Sequence, residues 1–118
     1  MKRTFLMAAV LLTAFTSAAT AQSYDCRKAV TPDEVAVCGD PLLGELDVVQ
    51  ADLYGRLRHY TTSFDNAMGL QAQLRDEARA FLRRRAACGA DRSCLETAYR
   101  ARIRELLKHW MTAMGEGE

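Results

Sequence analysis

The reactive side chains of this 118-residue chain are four cysteines, Cys26, Cys38, Cys88 and Cys94. An even number of cysteines in a small chain is typical of an exported protein with two disulfides. The pairing Cys26–Cys38 with Cys88–Cys94 is favoured, because each pair is local in sequence and straddles a predicted helix end. Pairing of Cys26 with Cys88 or with Cys94 stays open. A zinc site is disfavoured, because neither spacing gives the short C-x-x-C of zinc knuckles.

The remaining polar residues form no catalytic pattern. His59 and His109 are far apart in the sequence, and neither has a motif around it. Adjacent acids occur at 33–34 and 76–77, but neighbouring residues of a helix do not face each other, so they make poor carboxylate pairs for a hydrolase. No nucleophile elbow, phosphate-binding loop or metal-ligand helix motif is present. The sequence therefore predicts a binding protein and not an enzyme, with no cofactor and no metal.

The first residues have the pattern of a secretory signal peptide. A basic start at 1–3 precedes an apolar run at 5–15, and Ala19 with Ala21 gives an A-x-A cleavage site. We expect cleavage between Ala21 and Gln22, and hence a periplasmic or secreted protein. The apolar run is shorter than the about 20 residues that span a bilayer, so no transmembrane segment is expected after cleavage.

The rest of the chain predicts an all-α fold, a small helical bundle of three long helices plus a short N-terminal helix with two disulfides. A capping residue precedes proline at Thr31-Pro32 and at Asp40-Pro41, and each pair marks a helix start. Gly89 suits the left-handed residue that ends a helix, and Asp91 or Ser93 can cap the next one. The long helices are expected at 41–62, fraying from 61, at 67–87 and at 92–111. The domain boundaries are 1–21 for the signal peptide, 22–114 for the helical domain and 115–118 for a disordered tail.

Apolar residues at helical spacing predict the buried face of each long helix. On the second helix they are Leu43, Leu46, Val49, Leu53, Leu57 and Tyr60. On the third they are Met68, Leu70, Leu74, Ala78, Phe81 and Leu82. On the fourth they are Leu95, Tyr99, Ile103 (with Arg102 beside it), Leu106 and Trp110. Gly55 inside the second helix costs about 1 kcal/mol relative to alanine and is expected to admit a close neighbouring helix.

The charges are segregated along the chain. Residues 22–66 carry a net charge of −4 and residues 67–118 a net charge of +3. Either the halves pair within one molecule, or one patch faces a charged partner. The candidate acidic binding residues, for lysozyme or another cationic protein, are Asp40, Glu45, Asp47 and Asp52. The alternative is a basic patch for anionic glycan, lipid or a protein, formed by Arg79, Arg83, Arg100 and Arg104. Export makes nucleic acid an unsuitable partner, and the sequence does not predict an oligomeric state.

Two stretches carry a family resemblance. They read YDCRKAVTPDEVAVCGDPLLGELDVVQADLY, from Tyr24, and LRDEARAFLRRRAACGADRSCLETAYRARIREL, from Leu74. Their cysteines, the T-P-x-E helix start, the D-P-x-L-x-x-L-D run and the Y-x-x-R-I-x-x-L run resemble the LprI-like lysozyme-inhibitor domain of bacterial exported proteins. The resemblance covers nearly all of the chain from Tyr24 to Leu107. It implies an exported helical domain and, for some members of the family, inhibition of lysozyme.

The chain departs from the family pattern at two positions, where Ala78 replaces a glutamine and Phe81 a tryptophan. Phe81 keeps the bulk of the indole and loses its N–H donor, so we interpret this position as packing. Asp47 and Arg102 match family positions and have opposite charges. A buried or half-buried bridge between them, joining the second and fourth helices, is expected, with contact to a ligand as the alternative.

Overall fold

A computed structural model of the chain describes residues 22–63 and 68–115. These residues form a 3-10 turn at Cys26–Lys28 and four α-helices, with no strand among them. The helices are α1 (Pro32–Gly39), α2 (Pro41–Thr62), α3 (Met68–Cys88) and α4 (Arg92–Gly115). The all-α fold with three long helices and a short N-terminal one is therefore confirmed. The expected signal peptide at 1–21 lies outside the described residues, as do 116–118 of the expected tail, and Gly115 belongs to α4.

Two aspartates fix the starts of α2 and α4. The carboxylate of Asp40 accepts a hydrogen bond of 3.2 Å from the backbone N–H of Leu43, in the first turn of α2. The carboxylate of Asp91 likewise accepts a hydrogen bond of 3.0 Å from the backbone N–H of Cys94, in the first turn of α4. These bonds satisfy N–H groups that have no partner inside the helix. Asp91, and not Ser93, is therefore the cap of α4.

A proline marks the start of α1, and a glycine marks the end of α3. Pro32 begins α1, because its fixed φ suits the first helical position, whereas the side chain of Thr31 caps no backbone N–H. Gly89 has φ of 56°, the left-handed conformation that residues with a Cβ adopt only at a cost. This residue ends α3 and turns the chain into α4.

Both disulfides favoured by the sequence are present, Cys26–Cys38 and Cys88–Cys94. The first ties the 3-10 turn to the end of α1. The second closes the turn between α3 and α4, so that α3 runs antiparallel to α4. The segment before α1 and the tight α3–α4 turn are thus both held by covalent bonds.

Helices α2 and α4 run in the same direction and form the largest helix–helix interface. At their starts, Arg92 of α4 pairs with Asp40 of α2. Two turns further along both helices, Tyr99 contacts Asp47. The bundle is therefore up, down, up, with α1 packed across α2 and α3 at one end. No helix among the described residues is long and apolar enough to cross a membrane.

The core consists of two apolar clusters along the bundle. The first is formed by Val37, Leu43, Phe81, Leu95 and Tyr99. The second, nearer the C-terminal end of α4, is formed by Leu57, Leu74 and Leu106. Burial of each such side chain stabilises the fold by about 1.5–3 kcal/mol before entropic costs.

Three residues expected in the core are exposed: Val49 by 44%, Met68 by 75% and Leu82 by 50%. On α2 the buried face passes through Asp47 instead, so Val49 is turned outward. Met68 is the first residue of α3, at the outer end of the helix. Leu82 is displaced from the interior because Phe81 and Arg85 occupy the buried face of α3.

Candidate functional site

The carboxylate of Asp47 is the centre of a buried polar network. One oxygen accepts a hydrogen bond of 2.9 Å from the hydroxyl of Tyr99. The other accepts bonds of 2.7 Å and 2.6 Å from the backbone N–H and the hydroxyl of Ser23. Because a buried carboxylate is tolerated only when it is hydrogen-bonded, these contacts fix the segment before α1 against α2 and α4.

A buried ion pair extends this network to α1 and α3. The Nε of Arg85 donates a hydrogen bond of 2.7 Å to Asp33. The guanidinium also lies over the ring of Tyr24, 5.5 Å from its centroid. Burial disfavours the charged form of Asp33, but hydrogen bonds from Thr31 and Arg85 and the charge of Arg85 outweigh it and lower the pKa of the carboxyl. Both partners are therefore charged at neutral pH.

The two tyrosines of the network remain protonated. Burial, with the nearby charge of Asp47, raises the pKa of Tyr99 well above its ordinary value. Burial also raises the pKa of Tyr24 to about 12, and its hydroxyl donates a bond of 2.8 Å to the backbone carbonyl of Glu34. Each hydroxyl thus acts as a permanent donor. The network therefore positions the helices and the segment before α1 relative to one another.

Arg102 joins the two core clusters. It is 1% exposed, and its guanidinium lies 5.3 Å from the ring centroid of Tyr54 and 5.8 Å from that of Phe81. Its charge is balanced by a contact of 3.3 Å to Glu105 on the same helix. Its Nε has no hydrogen-bond partner. The two aromatic faces therefore carry part of the stabilisation of this buried cation.

The expected Asp47–Arg102 bridge is wrong. Both residues are buried, but Asp47 is bonded to Tyr99 and Ser23, and Arg102 to Glu105. Asp47 is also wrong as a member of an exposed binding face, because its side chain is 0% exposed. The sequence pattern identified a helix-joining carboxylate and misassigned its partner.

The other three predicted acids lie at the surface in different states. Asp40 caps α2 and pairs with Arg92, and its bond from the N–H of Leu43, followed by the contact with Arg92, lowers its pKa. Asp52 is exposed and forms an ion pair of 2.9 Å with Arg56. Glu45 is exposed and has no ion-pair partner within the described residues. Only Glu45 therefore offers an uncompensated charge.

Two exposed valines separate Glu45 from Asp52. Val48 is 42% exposed and Val49 is 44% exposed. These four residues are spaced by three and four positions, so they lie on one outward face of α2, here termed the α2 strip. Sequence reasoning missed Val48 and placed Val49 in the core, although the spacing of both valines relative to the acids was a signal for a shared face.

The four predicted basic residues are all exposed. Arg79 lies 3.6 Å from Asp76, and Arg100 lies 3.1 Å from Glu96, in each case on the same helix. Arg83 and Arg104 have no ion-pair partner in the part of the chain that the structure describes. The basic residues of α3 and α4 are therefore available to an anionic partner, with two of them partly neutralised by neighbours.

A groove of about 720 Å³ lies beside the C-terminal half of α2 and the end of α4. It is here termed the α2–α4 groove. Small residues, Ala51 and Gly55, line it on α2, and Trp110 lines it on α4. The expectation that Gly55 admits a neighbouring helix is wrong, because no other described helix brings an atom within 4 Å of the place where its Cβ would be. The glycine instead borders open space.

Comparison of this chain with protein-family models, with curated proteins and with solved structures gives no match. The resemblance described above rests on the two sequence stretches alone. The function is therefore inferred from the exposed faces of the bundle.

Proposed function

We propose that this protein is an exported binding protein of the lysozyme-inhibitor type, which covers the cleft of a basic lysozyme and performs no chemistry of its own. The observation that carries the proposal is the α2 strip, where two exposed valines stand between two carboxylates. Export is supported by the signal-peptide pattern and by two disulfides, which form and persist in oxidising compartments. The sequence resemblance supplies the class of partner.

The strip has the composition that a protein interface needs. Val48 and Val49 supply apolar surface at its centre, and burying that surface favours association. Glu45 and Asp52 lie at its ends, where charge raises the association rate with a cationic protein and sets its orientation. Because the carboxylate of Asp52 is already paired with Arg56, Glu45 is expected to contribute more than Asp52 to the attraction of a cationic partner.

The buried network supports a rigid presentation of the strip. Asp47, within the same stretch of α2, is held from the opposite side by Tyr99 and Ser23. A helix fixed in this way does not have to be ordered when a partner binds, which lowers the cost of association.

The test is inhibition of a basic lysozyme by the purified, oxidised protein at low and at high salt. We expect inhibition that weakens with salt, since exposed charges are screened. Glu45→Lys combined with Asp52→Lys should weaken it by about tenfold or more. Asp76→Lys, on α3, is the matched charge reversal away from the strip and should have little effect. Inhibition that the double variant leaves unchanged would exclude the strip as the contact surface.

A second candidate is an envelope interaction module that binds anionic glycan, lipid or a protein partner through the arginine-rich helices. The observation in its favour is the exposure of Arg83 and Arg104 without ion-pair partners among the described residues. Co-sedimentation with peptidoglycan or anionic vesicles at low salt, lost in Arg79→Glu with Arg83→Glu, is the expected result. Absence of any binding at low salt would contradict this function.

A further inference from the structure

Within the part of the chain that the structure describes, no backbone angle or contact requires a glycine at position 55. It lies in the interior of α2, where glycine is destabilising relative to alanine. Its φ is not positive, so the backbone does not require it. Beyond its own helix backbone and chain neighbours, a Cβ would meet no atom of the described residues within 4 Å, so no close packing there requires the glycine either. What the missing side chain does provide is open space in the α2–α4 groove, beside Ala51.

The indole of Trp110, on α4, also lines the groove. Trp110 is partly buried and packs against the second core cluster of Leu57, Leu74 and Leu106. An aromatic side chain anchored on one side and accessible on the other forms a flat apolar platform that needs no reorganisation to accept a ligand.

The acidic and the basic residue that line the groove, Asp52 and Arg56, have opposite charges, and His59, Tyr60 and Ser63 complete its polar lining. The guanidinium of Arg56 and the carboxylate of Asp52 form an ion pair of 2.9 Å, and both residues line the groove beside the gap at Gly55. An anionic ligand would have to compete with Asp52 for Arg56, and a cationic ligand with Arg56 for Asp52. The groove therefore favours a neutral ligand that combines an apolar face with hydrogen-bonding groups at its edge.

We propose that the α2–α4 groove binds a neutral pyranose oligosaccharide. One sugar ring lies with its C–H face on the indole of Trp110 and occupies the space left by Gly55. Its ring hydroxyls exchange hydrogen bonds with Asp52 and Arg56, which offer an acceptor and a donor side by side. A purely apolar peptide segment fits less well, because it would bury this ion pair without replacing its bonds to water. The site overlaps the proposed lysozyme contact at Asp52, whereas Glu45, Val48 and Val49 do not line the groove.

The test uses the fact that Trp110 is the only tryptophan of the chain. The purified, oxidised protein is titrated with the tetramer of N-acetylglucosamine and with the tetramer of glucose while its fluorescence is recorded. We expect a saturable change in the emission of Trp110 with at least one of them. Gly55→Leu places a side chain in the open space and should weaken binding by about tenfold or more. Gly55→Ala, the matched control, should keep binding within about threefold.

Unfolding midpoints of both glycine variants establish that they are folded. The proposal is overturned if neither tetramer gives a saturable change, or if Gly55→Leu binds as well as the unmodified protein. It is equally overturned if a neutral apolar peptide displaces the tetramer and binds the protein with a higher affinity than the tetramer does. Glu45→Lys, which does not touch the groove, should bind the tetramer normally even where it abolishes lysozyme inhibition. Lysozyme inhibition therefore tests the α2 strip, and binding of the tetramer tests the α2–α4 groove, so either proposal can fail without the other.

Discussion

The hydroxyl of Tyr99 on α4 donates a hydrogen bond of 2.9 Å to the carboxylate of Asp47 on α2, and both side chains are completely buried. The bond lies at the interface of the two parallel helices. Since the same carboxylate also binds Ser23, it determines both the helix register and the position of the N-terminal segment.

Tyr99→Phe should lower the free energy of unfolding by about 2 kcal/mol, because it removes a hydrogen bond to a buried charged acceptor. Urea unfolding at neutral pH measures the loss. Tyr54→Phe is the matched control, since the hydroxyl of Tyr54 makes no hydrogen bond within the described residues, and its effect should stay below about 0.5 kcal/mol. Equal losses in the two variants would show that the Tyr99–Asp47 bond does not contribute to stability.

Asp33→Ala should cost about 3 kcal/mol at neutral pH, because it leaves the buried guanidinium of Arg85 without its carboxylate. The pKa of Asp33 is lowered in the folded protein, whereas in the unfolded chain it is about 4. The stabilisation is therefore complete above about pH 4 and is lost as the pH falls through the folded-state pKa.

The stability difference between Asp33→Ala and the unmodified protein should accordingly shrink in acid, as measured by urea unfolding between about pH 2 and pH 7. The matched control is Asp52→Ala, which removes an exposed ion pair with Arg56 and should cost less than about 1 kcal/mol. A difference for Asp33→Ala that does not change with pH would argue against a charged pair.

Replacing both cysteines of a disulfide by serine should lower stability more for the first disulfide than for the second. Cys26 and Cys38 are 12 residues apart, and Cys88 and Cys94 are 6 apart. A longer loop has more chain entropy to lose, so the expected costs are about 3 and about 2 kcal/mol. Thermal unfolding of the two double variants gives the order, and the reverse order would show that packing around the α3–α4 turn dominates.

Gly55→Ala and Gly89→Ala should change stability in opposite directions. At Gly55 the helix gains a better helix former with open space around it, so stability should rise by about 1 kcal/mol. At Gly89 the φ of 56° disfavours any residue with a Cβ, so stability should fall by about 1 kcal/mol. Denaturant midpoints measure both. A loss of stability in Gly55→Ala would mean that the glycine is required by the fold and not by the groove.

Local signals in the sequence were sufficient to predict much of this fold. Caps, helix-starting prolines and the glycine after α3 act within one or two turns, and the disulfides close short loops, so each can be recognised without the rest of the structure. Burial of polar groups cannot be recognised in this way. From the sequence, Asp47 and Arg102 look like partners of each other, because the tyrosine hydroxyl and the aromatic rings that surround them are brought close only by the fold. The outward turn of Val49 follows from the same cause, because Asp47 takes the inner face.

The contacts Asp33–Arg85, Asp40–Arg92 and Asp47–Tyr99 each join residues 52 positions apart. In the export that we propose, the chain would emerge N-terminus first and would present three carboxylates long before their partners arrive. Neither disulfide replaces these contacts, because each closes only a short loop. We expect the α3–α4 hairpin to form first and α1–α2 to dock onto it afterwards. Until Tyr99 has emerged, α2 would lack the helix against which it packs. Its apolar side chains would stay exposed during that time, and such exposure favours aggregation.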